Sequence, residues 1–179
     1  MEKIEYIHDH VAFRLLWQRS NECVEELKGI PDSELLHFDS SNIDMRIFFH
    51  LIRNIAKFNG DGEFAMIVLE PDPFSYFHFH FDKYPGLIVK AHHGADEFSG
   101  ALFIDPGDSP ADAIGHYSEK YVVLPLSGDW FMYADRGWDW GTGVLAGPPD
   151  VMAFAKNSFA FYENPELADA VPRLPFDTL

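Results

Sequence analysis

Apolar residues recur at helical spacing through the first third of the chain and at every second position afterwards. That switch predicts two helices followed by a run of strands. The first helix covers roughly residues 9 to 28, with Ala12, Leu15, Leu16, Cys23 and Leu27 on one face. Asp9 suits its N-cap, and Gly29 followed by Pro31 supplies the stop. The second helix is capped by Ser40 or Ser41, and its wide apolar stripe runs from Ile43 through Leu51 and Ile55 to Phe58. Asn59-Gly60 tolerates the left-handed conformation that ends it.

From Glu63 onward, period-two patterning predicts strands near 64–70, 74–81, 87–92, 100–105, 121–126, 130–135 and 138–146. Most links between them are short and rich in Asp, Pro and Gly, which pairs neighbouring strands antiparallel. Short helices are expected after Ser109-Pro110, after Pro148-Pro149 and after Asn164-Pro165-Glu166, and Pro172 to Leu179 as an extended strap. Helices first and strands afterwards give an α+β class. The expected architecture is two N-terminal helices packed on a mainly antiparallel, meandering sheet of about six or seven strands, with short C-terminal helices. No repeat or linker interrupts it, so residues 1–179 are expected to form a single globular domain.

Composition adds an aromatic core: 17 Phe, 7 Tyr and 4 Trp in 179 residues can fill one without disulfide or metal support. The single Cys23 has no second cysteine for a disulfide or a zinc ribbon. No basic region followed by an apolar run opens the chain, and Phe64 to Leu69 is too short to cross a bilayer, so a cytoplasmic location is expected. The formal charge of −16, from 29 acids against 13 bases, disfavours nucleic acid and anionic membranes as partners. It favours solubility, and beyond that attraction to a basic protein.

Two segments carry candidate chemistry. In Tyr76-Phe-His-Phe-His-Phe81, strand alternation places the phenylalanines on one face and Tyr76, His78 and His80 on the other. A turn over 82–86 then sets Phe81 opposite Leu87 and Tyr76 opposite His92. His78, His80 and His92 are the weak metal candidates of this register, in a three-histidine zinc geometry. Lys90 would sit among those ligands and no carboxylate is placed behind them, so no metal is favoured and no cofactor is predicted.

The second segment, Asp129 to Gly141, holds three of the four tryptophans and reads as a hairpin turning at Asp135-Arg136-Gly137. Trp130, Met132 and Ala134 share one strand face, Phe131 and Tyr133 the other, and Trp138 and Trp140 share a face of the returning strand. A two-layer domain buries only one face of such a hairpin. The ordinary outcome is that the C-terminal strap covers the second face. Otherwise Trp130, Tyr133, Arg136, Trp138 and Trp140 form an exposed patch of the residue types that dominate binding hot spots.

No Gly-x-Ser-x-Gly elbow, phosphate loop, His-Glu-x-x-His or calcium loop occurs. Acidic clusters such as Asp105, Asp108 and Asp112 are explained by turns and helix starts. The leading expectation is a non-enzymatic protein-binding or inhibitory module, of the kind in which an immunity protein neutralises a basic enzyme. The competing one is a metal-dependent enzyme working from the histidine face. A third has the hairpin mediate homo-oligomer formation.

Overall fold

A computed structural model describes residues 3–136, 141–167 and 173–178. The chain opens with β1 (Tyr6–Ile7), α1 (His10–Leu27), β2 (Leu36–Asp39), α2 (Arg46–Asn59) and β3 (Glu63–Glu70). A π-helical turn (Pro73–His78) runs into α3 (Phe79–Phe81), followed by β4 (Tyr84–Lys90), α4 (Ala95–Leu102) and α5 (Ile114–Tyr117). The rest comprises β5 (Lys120–Pro125), β6 (Phe131–Asp135), β7 (Thr142–Ala146), α6 (Pro149–Ser158), β8 (Phe159–Ala160) and β9 (Phe176–Asp177). The class is α+β: β1 to β7 form a seven-stranded antiparallel sheet in the order β1-β4-β3-β5-β6-β7-β2, and β8 pairs with β9.

Both predicted N-terminal helices form. The Asp9 carboxylate caps α1 by accepting the Ala12 N–H at 2.7 Å. Ahead of α2 the cap falls one residue earlier than Ser40: Asp39 accepts the Ser41 N–H at 2.9 Å and starts a 3-10 turn over Ser40–Asp44. Gly60, at φ 82°, closes α2 in the left-handed conformation that glycine adopts without a Cβ clash.

The two helices lie on opposite faces of the sheet. Phe64, Met66 and Val68 of β3 join the larger core with α2, α4 and α6, while Ala65 and Ile67 join a smaller core with Phe13 and Cys23 of α1. Strand alternation therefore feeds two cores, and β3 reads as a continuous apolar run because neither face meets water. The molecule has three layers, helix on sheet on helix.

Two predicted strands are helical instead. Residues 74–81 form the π-helical turn and α3, and 100–105 overlap α4. At the first, Asp72 accepts the N–H groups of Phe74 (3.0 Å) and Ser75 (2.7 Å), with Pro73 at the first helical position, a combination that starts a helix. At the second, Glu97 accepts the Gly94 N–H at 2.7 Å, and Phe98, Ala101 and Leu102 turn one face inward. The predicted pairing of 74–81 with 87–92 does not form. Leu87 of β4 sits opposite Met66 of β3 on one side and Tyr6 of β1 on the other. The edge strands β1 and β2 were not predicted, being too short to show a period.

Candidate functional site

The hairpin residues come first, because the sequence points to them. β6 and β7 do form a hairpin, with Met132 opposite Leu145 and Tyr133 opposite Val144. Trp130, expected in a binding patch, is wholly buried in the larger core beside Met132 and Ala134. Its indole N–H donates to the Asp61 carboxylate at 3.0 Å. Among the described residues the other hairpin face is covered by the layer of α1: Phe131 lies in the smaller core, with half-buried Tyr133 packed against it. The correction has one cause, since a three-layer fold covers both faces of a central strand where two layers cover one. Trp138 and Trp140 lie outside the described residues. Arg136 is spent on the protein's own backbone, donating from Nη1 to the carbonyls of Gly115 (2.9 Å) and Ser118 (3.2 Å) and to Ser118 Oγ (3.2 Å).

The histidines are also rearranged. His78 and His80 sit two residues apart on one helical segment, where such neighbours point away from each other. His92 follows β4 whereas His78 and His80 precede it, which puts about 20 Å of strand between them. Among the described residues no three His, Cys, Asp or Glu side chains are grouped to hold a metal. His78 stacks on the ring of Tyr84 at 4.3 Å, and the Tyr84 hydroxyl is hydrogen-bonded to His10 Nδ1.

What the fold does bring together is an aromatic corner at one end of the sheet. The register shows how. Glu70 of β3 pairs with Lys120 of β5, and Lys120 with Asp135 of β6, so the link 71–83 and the end of 103–119 lie at that end. Within residues 73–81 the chain uses a helical face. Phe74, Phe77, His78 and Phe81 turn inward, Phe77 being fully buried with its ring 5.4 Å from Tyr6 and 4.9 Å from Phe81. The opposite face presents Tyr76, Phe79 and His80, of which Phe79 is 78 % exposed.

Loop 103–117 braces this face. Tyr76 stacks on Tyr117 at 5.7 Å and 15°, and its hydroxyl donates to Asp112 Oδ1 at 3.1 Å. Asp112 in turn accepts from Ser109 Oγ. That hydrogen bond to Asp112 is the main cause of the raised pKa of Tyr76, and burial raises that of Tyr117. Phe103, itself exposed, lies 4.9 Å from His116 at a tilt of 55°, with its ring against Gly115. A Cβ on Gly115 would fall 2.5 Å from the Phe103 ring, so the contact requires glycine there. Segments 72–82 and 103–117 carry five aspartates, Asp72, Asp82, Asp105, Asp108 and Asp112, and no lysine or arginine.

A cleft of about 370 Å³ opens at the other end of the sheet, between α2 and the ends of β3 and β4. Its lining mixes Arg53, Lys57 and Lys90 with Asp61 and Glu63, and this mixture selects no ligand charge. Catalysis gains no group from Cys23: its thiol is buried and pushed up to about 11 by desolvation, so it stays protonated at neutral pH.

No helix among the described residues is long and apolar enough to cross a membrane. No protein-family model, curated protein or solved structure matches the chain.

Proposed function

We propose that this chain is a non-enzymatic protein-binding module of the inhibitory, immunity type, and that its partner is a basic protein. The observation that carries the reading is the set of exposed rings of Tyr76, Phe79 and His80, with exposed Phe103 on the bracing segment, carried on stretches with five aspartates and no lysine or arginine. Exposed aromatic rings lose little side-chain entropy on docking and bury a large area, which is why binding hot spots favour them. A rim of one charge steers an oppositely charged partner and rejects others. The net charge of −16 extends that attraction beyond contact distance.

The π-helical turn adds support, since such turns are rare and concentrate at functional sites. Arg136, at the end of β6, is tied to the bracing segment through Gly115 and Ser118. The histidine-face enzyme keeps no geometric support, because the fold separates its three imidazoles.

The test is affinity capture from native lysate with the wild-type chain and with the double variant Tyr76→Ala/Phe79→Ala. The expected result is a basic protein in the first eluate, absent from the second, whose own activity falls when the purified chain is added. An eluate without a basic protein, or one that the double variant leaves unchanged, overturns the proposal.

A further inference from the structure

We infer that the corner recognises its basic partner through arginine, seating a guanidinium against the exposed Phe79 and His80 rings within reach of the Asp112 carboxylate. This rests on the binding reading above and specifies the chemistry of the contact.

The ring arrangement favours a flat cation. Phe79 and His80 stand nearly perpendicular, with centroids 5.2 Å apart, and His80 meets Tyr76 edge-on at 4.8 Å. Perpendicular rings form an open corner into which a planar guanidinium can lay one face while turning its N–H edge outward. An ammonium has no flat face to lay down and holds its water more tightly.

The carboxylate is oriented in advance. Oδ1 of Asp112 accepts from Tyr76 and Oδ2 from Ser109 Oγ, which fixes the group and leaves each oxygen with further accepting capacity. Two oxygens held in one plane suit the paired N–H edge of arginine. Charge complementarity names the occupant: segments 72–82 and 103–117 carry five aspartates and no lysine or arginine of their own, and Arg136 donates to backbone carbonyls of Gly115 and Ser118, so a cation from the partner suits this face.

The experiment titrates the full-length chain, at physiological ionic strength, with two capped peptides of equal charge. One alternates arginine with glycine, the other lysine with glycine. Calorimetry reads the affinity, and backbone NMR shifts read the location. The arginine peptide is expected to bind several-fold tighter than the lysine peptide and to shift the amides of Phe79, His80 and Asp112. Phe79→Ala should weaken it about fivefold, the value of one exposed cation–π contact. Asp112→Asn, which removes the charge, keeps one accepting oxygen and must reverse the other hydrogen bond, should weaken it too.

Equal binding of the two peptides, or binding that Phe79→Ala leaves unchanged, overturns the arginine inference while the binding module stands. If neither peptide binds but a basic protein is captured through the corner, the inference fails in the same way. If no basic protein is captured at all, the functional reading itself falls.

Discussion

Phe77 is wholly buried and Phe79, two residues further on, is 78 % exposed. On a strand these two side chains would share a face, whereas on a helix they point in nearly opposite directions. Their inequality therefore distinguishes the two conformations at the level of single substitutions. Phe77→Ala, which empties a site between Tyr6, Phe81 and Tyr117, should cost about 3–5 kcal/mol. Phe79→Ala should leave stability within about 0.5 kcal/mol of wild type. Urea unfolding of both variants checks the pair, and similar losses at the two positions would restore the strand.

The same segment shows why part of the site was hidden in the sequence. Phe77, Phe79 and Phe81 satisfy period two, while Phe74, Phe77, His78 and Phe81 satisfy the i, i+3, i+4, i+7 pattern of a helix. Hydrophobicity cannot choose between them. Asp72-Pro73 can, because it repeats the cap-then-proline signal that correctly marks Ser109-Pro110. The helices α1 and α2 and the strands β3, β5 and β6 were legible because each is long or regular enough to show one period alone. Which face of the sheet receives α1 was not. That choice depends on tertiary packing, and it placed Phe131 and half-buried Tyr133 in a second core on the face opposite Trp130.

Trp130 tests that packing through its partner. Its buried indole N–H has the Asp61 carboxylate as acceptor, and removing the acceptor strands the donor. Asp61→Ala should destabilise the protein by about 1–3 kcal/mol, the cost of an unpaired buried N–H. Asp61→Asn keeps an accepting oxygen and should lose less than half as much. Tryptophan fluorescence during denaturation measures both. An Asp61→Ala protein as stable as wild type would mean the hydrogen bond contributes nothing.

Asp72 links the corner to pH. Its carboxylate accepts from the Ser75 N–H and hydroxyl and from the Phe74 N–H, and the Ser75 backbone contact is the main reason its pKa is lowered. A carboxylate with a depressed folded-state pKa stabilises the protein above its unfolded value. That contribution disappears as pH falls through the folded value. Asp72→Ala should therefore cost about 1 kcal/mol at neutral pH, as for other lost N-caps. The gap between variant and wild type should close on acidification from about pH 4 toward pH 2. Paired urea titrations along that range provide the measurement, and a gap that stays constant would show that the cap is not ionic.

Cys23 carries the opposite sign. Burial in the smaller core raises its thiol to about 11, so the folded state holds the proton that an unfolded chain would release. The resulting stability is complete below about pH 8.5, the unfolded value, and declines as pH rises toward the folded one. Several tyrosines, Tyr6 and Tyr84 among them, are raised by burial too, so the slope of the wild type alone assigns nothing to the thiol. The difference between wild type and Cys23→Ala does, because the tyrosines cancel. That difference should shrink between pH 8 and pH 10. The same burial predicts that a disulfide exchange reagent at pH 8 labels the native thiol at least about a hundredfold more slowly than the denatured one, since both thiolate fraction and access fall. Rapid native labelling would place Cys23 at the surface and remove α1 from its position over Ala65 and Ile67. With that helix displaced, Phe131 would face solvent, and the hairpin would have the exposed aromatic side that is the alternative reading of its sequence.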